Sequence, residues 1–141
     1  MADPQSFRLP NDLEQVPALR GLFERACCDA GVCEDEREAM KLVFTELVNN
    51  AIEHGCTRPS DMVEVWFRIG DAEVEIEVSD PSDALTQQDF SASGATGFSD
   101  TGRGAGLFLV QALSDEVKVR AGDRGGTTVR VVKRRGGGAA A

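Results

Sequence analysis

The sequence predicts an α+β fold: a two-layer α/β sandwich in which a mixed, mostly antiparallel sheet carries helices on one face. Three observations predict it. Two neighbouring stretches alternate with period two, Val63, Val65, Phe67 and Ile69 in the first and Val74, Ile76 and Val78 in the second, the latter against outward Glu73, Glu75 and Glu77. A third stretch instead places Met40, Phe44, Leu47, Val48 and Ala51 on one arc of a helix. Helical segments and hairpins then alternate along the chain, which favours a single sheet covered on one side.

Phe7-Arg8-Leu9 is a short strand, and Pro10-Asn11-Asp12 after it offers stop and cap chemistry for a first helix. In that helix Val16, Leu19, Phe23, Ala26 and Ala30 share an arc, and Gly31 supplies the exit. A second helix runs from about Glu34 to His54. Its opening acids suit the positive end of the helix dipole, and Gly55 ends it. Gly70-Asp71 turns the hairpin between the two alternating strands. From Asp83 to Gly106 the chain is rich in Ser, Thr, Gly and Asp, with a short helical turn around Leu85 to Phe90; such a length inside a small domain points to a lid or binding loop. A third helix starts near Gly106 with Leu107, Leu109, Val110 and Leu113. A second hairpin then pairs Val117–Arg120 with Thr127–Val131 around Gly122-Asp123-Arg124-Gly125-Gly126.

The 141 residues suit one domain with its own core, over residues 1–135, followed by a low-complexity, disordered tail over 136–141. With 41% hydrophobic and 28% charged residues the composition is that of a soluble globular chain, and no apolar run reaches the length of a membrane span. The first residues lack the basic start and apolar core of a signal peptide, so a cytoplasmic location is expected. A net charge of -9 argues against direct binding of nucleic acid or anionic lipid and in favour of proteins or small ligands. Lys133-Arg134-Arg135 reads as a solvated strand end. Cys27, Cys28, Cys33 and Cys56 lack paired metal-ligand spacing, and His54 is the single histidine, so they read as reduced thiols, with Cys27 and Cys28 at a packed helix face.

Chemistry concentrates on the second helix. Glu46 and Asn50 stand one turn apart, with Glu53 a further turn along, on a strip beside the apolar arc. A carboxylate there can act as general base, and a carboxamide oxygen can ligate magnesium, a hard ion that keeps several waters and needs few protein ligands. Gly102-Arg103-Gly104-Ala105-Gly106-Leu107 runs directly into a helical pattern, so its backbone N–H groups and the helix N-terminus can cradle phosphate oxygens. It is neither a dinucleotide fingerprint, since no strand leads straight into it, nor a P-loop, since Gly-Lys-Ser/Thr is missing. Asp80 ends a strand, where its carboxylate can accept a hydrogen bond from an exocyclic amine.

The order of these parts resembles the Bergerat-fold ATP-binding domain of the GHKL superfamily, and within it the bacterial anti-sigma-factor serine/threonine kinases. Glu46-Leu47-Val48-Asn49-Asn50-Ala51-Ile52-Glu53-His54-Gly55 is close to the characteristic helix of that group, and the match spans residues 5 to 134. The resemblance implies Glu46 as catalytic base, Asn50 as ligand of Mg2+, and Asp80 as reader of adenine. It implies a phosphate loop at Gly102, Gly104, Ala105, Gly106 and Leu107, and a Thr127 that helps hold adenine through its hydroxyl and water. It places Arg20 on a helix where family members meet partner proteins. Many superfamily members carry Asp-x-Gly-x-Gly after the adenine strand; here Asp80-Pro81-Ser82-Asp83-Ala84 lacks both glycines.

The function so implied is an ATP-dependent serine/threonine protein kinase and anti-sigma factor that phosphorylates a STAS-domain antagonist and switches between it and a sigma factor. A homodimer is also implied, with an exposed apolar strand near Phe7 and Leu9, or the first helix, as interface. The alternative is a non-catalytic, nucleotide-gated anti-sigma or adaptor protein. A detached histidine-kinase catalytic domain is a further rival, which would need a phospho-acceptor histidine that His54, inside the nucleotide motif, does not provide.

Overall fold

A computed structural model describes residues 3–83, 104–122 and 125–136. Strand β1 covers Gln5–Pro10, helix α1 Val16–Asp29 and helix α2 Glu34–Gly55. Strands β2, Met62–Ile69, and β3, Glu73–Asp80, follow; helix α3 covers Gly104–Leu113, then come β4, Glu116–Ala121, and β5, Thr127–Arg134. The strands form one sheet in the order β1-β2-β3-β5-β4. Every described pairing is antiparallel, so no parallel pair makes the described sheet mixed.

The register explains the layering. Val65 stands opposite Val78, and Phe67 opposite Ile76, which itself stands opposite Val131, so the apolar positions of three strands share one face. All three helices cover that face. Phe23 of α1 stacks on Phe44 of α2 with ring centroids 4.6 Å apart and meets Phe67 of β2 edge-on at 5.2 Å, which ties both helices to the sheet. The first helix is preceded by a short 3-10 turn over Leu13–Gln15, whose first residues are capped by the Asp12 carboxylate accepting the Glu14 N–H at 3.0 Å. In α1 the buried positions are Val16, Leu19, Phe23 and Cys27; Ala26 is partly buried and Ala30 exposed. Cys27 thus packs inward, where burial pushes its thiol up to about 12, while Cys28 faces solvent rather than the packed side.

Several expectations change in detail. The β2–β3 connection is Gly70–Ala72 rather than a two-residue turn, closed by the Gly70 N–H donating to the Glu73 carbonyl at 2.8 Å. Leu9 is 7% exposed and turns into the core, while half-buried Phe7 stacks on Phe67, so of the two only Phe7 keeps exposed apolar surface on β1. Glu75 faces away from the helices, as its alternation requires, yet it is buried at 7% exposure. The Arg68 Nε donates to it at 2.6 Å and Arg130 pairs with its other oxygen, so two guanidinium groups close over the carboxylate. The same two guanidinium groups lie 5.6 and 5.7 Å from the Trp66 ring centroid. The expected helical turn near Leu85 to Phe90, most of the glycine-rich segment, and residues 137–141 lie outside the described residues.

Candidate active site

Helix α2 is the spine of the site. Its acids Glu34, Asp35 and Glu36 fill the first turn, and its inner arc buries Met40, Val43, Phe44, Leu47, Val48, Ala51, Ile52 and Gly55. On one edge of that arc Lys41 reaches Glu24 of α1 at 2.5 Å and Glu38 at 3.0 Å. The hydrogen bond with Lys41 holds the Glu24 carboxyl below its ordinary value, and the bond with Glu24 raises Lys41 in turn. The opposite edge carries Glu46 and Asn50 toward α3.

There a cavity of about 220 Å³ is lined by Glu46, Asn49, Asn50, Glu53 and His54 from α2 and by Gly106, Leu107 and Val110 from α3. Gly106 approaches so closely that a Cβ built on it would stand 2.5 Å from the Glu46 Oε2. A side chain at this position would push the Glu46 carboxylate aside, so glycine lets the start of α3 lie against it undisturbed. Asn49 was not singled out by spacing, because the Glu46 to Asn50 repeat draws attention to the strip one position away. Gly104 and Ala105 begin α3, whose first turn presents backbone N–H groups without helical partners. Gly102 lies outside the described residues.

Asp80 and Thr127 sit at another corner. They are paired across β3 and β5, and both line a separate cavity of about 400 Å³. Asp80 is tied to α2 by contact with Gly55: a Cβ on Gly55 would overlap the Asp80 carboxylate and stand 2.6 Å from its Cβ. Sequence reasoning took Gly55 as a helix exit alone, since the contact joins a helix end to a strand end. The loop after Gly55 is held by Asp61, 7% exposed, whose Oδ2 accepts the N–H groups of Thr57 and Arg58 at 2.9 Å each. The Arg58 and then the Thr57 backbone N–H hold this carboxyl below its ordinary value. Burial raises the neighbouring Cys56 thiol, and the charges of Asp61 and Asp80 add to it.

The box without glycines is knitted to the start of β5. The Asp80 Oδ1 accepts the Ser82 N–H at 2.7 Å, the Thr127 hydroxyl donates to the Ser82 carbonyl, and the Asp83 Oδ1 accepts the Gly126 N–H at 2.9 Å. Side-chain hydrogen bonds thus shape this glycine-free turn. The structure brings Glu46, Asn50, Gly106 and Leu107 into one cavity and Asp80 and Thr127 into another, the two joined through α2. Arg20 is half-buried on α1 and belongs to neither.

A family model described as histidine kinase-like ATPase domain matches residues 9–133. The serine-protein kinase RsbW of Staphylococcus epidermidis is 30% identical over 140 residues, covering 90% of this chain and 84% of that protein. Among solved structures, a chain of the SiaB–SiaC complex from Pseudomonas aeruginosa superposes with a TM-score of 0.67 at 15% identity, covering 91% of this chain and 88% of that one. The RsbU and RsbW domains of Rv1364c from Mycobacterium tuberculosis give a TM-score of 0.65 at 19% identity, covering 94% of this chain and 32% of that larger one. At such identities the structural likeness is one of fold.

Proposed function

We propose, from the premise that this chain belongs to the histidine kinase-like ATPase family and within it to the serine-protein kinases of the RsbW kind, that it binds ATP and phosphorylates a serine or threonine of a STAS-domain antagonist. The observation that carries the reading is the single cavity holding Glu46, Asn50 and Gly106. Glu46 to Gly55 spans nine residues, or about 14 Å of helix at 1.5 Å per residue, so one extended nucleotide can reach from the Asp80 corner to the Glu46 cavity along α2.

The residues fit magnesium and ATP: a carboxamide oxygen at Asn50, a side-chain-free approach at Gly106, and the N-terminus of α3 beside both. When bound, Mg-ATP supplies the phosphoryl group and the counter-charge that its transfer needs. Asn50 would hold the metal, and the first-turn N–H groups of α3, from Gly104 through Leu107, would hold phosphate oxygens. Glu46 accepts the proton of the acceptor hydroxyl, and Asp80, fixed between Gly55 and Ser82, orients the adenine amine. Thr127 holds the Asp80–Ser82 turn in shape and keeps lone pairs on its hydroxyl for a bridging water.

The same reading includes partner switching with a sigma factor, one kinase domain over residues 1–135, and work in the cytoplasm. Among the described residues no helix is long and apolar enough to cross a membrane. It also includes a homodimer, for which α1, where Leu22 is exposed, remains a candidate surface with Leu9 internal. The deciding experiment is transfer of label from gamma-labelled ATP with magnesium to a STAS-domain antagonist encoded in the same genome. Label on a partner serine or threonine, lost in Glu46→Ala and Asn50→Ala, is expected. Tight ATP binding with no labelled partner would leave the non-catalytic, nucleotide-gated binder in its place.

A further inference from the structure

Helix α2 buries almost every large apolar side chain it carries. Met40, Val43, Phe44, Leu47, Val48 and Ile52 are each at most 4% exposed, whereas Leu42 is 51% exposed. Leu42 precedes Glu46 by four residues, so the two share a strip and their Cβ atoms stand roughly 5–6 Å apart. Helical side chains lean toward the N-terminus, which carries the Glu46 side chain out over the turn of Leu42. Leu13, Leu22 and Phe108 are also exposed, but they lie on other elements, and Leu42 alone of these shares the strip with the carboxylate.

We propose that Leu42 is a docking contact for the protein substrate, seating an apolar side chain of the antagonist segment that carries the acceptor hydroxyl. The inference rests on the kinase reading above. A hydroxyl within hydrogen-bond reach of Glu46 brings the residues next to it in the partner's chain across the neighbouring turn of α2, because consecutive Cα atoms are only about 3.8 Å apart. What meets them there is Leu42, with exposed Glu38, paired to Lys41, one turn further back and exposed Asp35 two turns back. The complementary segment therefore pairs an apolar residue beside the acceptor with neutral or basic residues beyond it. Acidic residues opposite Asp35 would meet like charge. Leu42 acts on recognition of the partner and not on the reacting atoms, which makes it a specificity residue.

The test compares wild type with Leu42→Ala, Leu42→Glu and Leu42→Met, measuring KM and kcat for phosphorylation of the STAS-domain antagonist alongside ATP affinity and the thermal midpoint. For Leu42→Ala the KM for the antagonist should rise roughly five- to tenfold, as for a truncated interface anchor. Leu42→Glu should raise it further and Leu42→Met should restore it, with ATP affinity and thermal midpoint near wild type in all three. An unchanged KM in the alanine and glutamate variants, or a fall in kcat at unchanged KM, overturns the docking role while wild-type activity leaves the kinase reading intact. A wild-type protein that labels no antagonist overturns the kinase reading itself, and the docking role with it.

Discussion

Around Glu46 the site is assembled along one helix, whereas around Asp80 it is assembled from the end of α2, the end of β3 and the start of β5. In the first half the spacing of Glu46 and Asn50 is set by helix geometry, and what the fold adds is the rotation of α2 and the close approach of Gly106. In the second half nothing local sets the geometry. Asp80 is placed by the steric fit of Gly55 and by hydrogen bonds from the turn that follows it. The first half should therefore fail by misplacing one group, and the second by losing packing and binding together.

Gly55→Ala gives the largest expected effect. The added methyl overlaps both the carboxylate and the Cβ of Asp80, and a strand backbone cannot retreat as a side-chain tip can. A cost of about 1–3 kcal/mol in stability is expected, as for other overpacked sites, together with a loss of ATP affinity on the order of tenfold. Thermal denaturation and calorimetric titration with ATP check both; a variant with native stability and native affinity would break the contrast. Gly106→Ala should do less to the fold, because the atom it meets is the mobile end of Glu46. Displacing that carboxylate should lower the rate of phosphotransfer by roughly ten- to a hundredfold, as small misplacements of reacting groups do, with a smaller change in ATP affinity. Single-turnover rates beside equilibrium ATP binding would separate the two.

This contrast also explains what could be read in the sequence. The strands β2 and β3, the buried arc of α2 and the Glu46 to Asn50 strip follow from periodicities of two and 3.6, which are local properties. Gly55 against Asp80, Gly106 against Glu46 and the Thr127 bond to Ser82 join distant parts of the chain, and no residue type announces them. Glu75 shows the same limit on the other face: alternation turned it away from the helices correctly but could not foresee that Arg68 and Arg130 would close over it. An apolar strand end near Phe7 and Leu9 reads as surface in the sequence; paired with β2 as an edge strand, it buries Leu9 and leaves Phe7 half-buried.

The smallest expected effect sharpens the Asp80 half. Asp61 does not touch the cavity around Glu46, but it organises the loop that leaves Gly55, through two backbone N–H groups that bond a charged carboxylate oxygen more strongly than a neutral one. Its folded-state value lies below the ordinary aspartate value of 3.8, so its contribution to stability is complete above that pH and is lost as pH falls through the depressed folded value. Asp61→Asn should therefore be less stable than wild type near neutrality, and the gap should narrow as the solution is acidified below about 3.8. Denaturation midpoints of both proteins across that range test the sign. A gap that stays constant with pH would mean that Asp61 holds the loop by shape, without its charge, and that the loop leaving Gly55 needs no ionised group to keep its form.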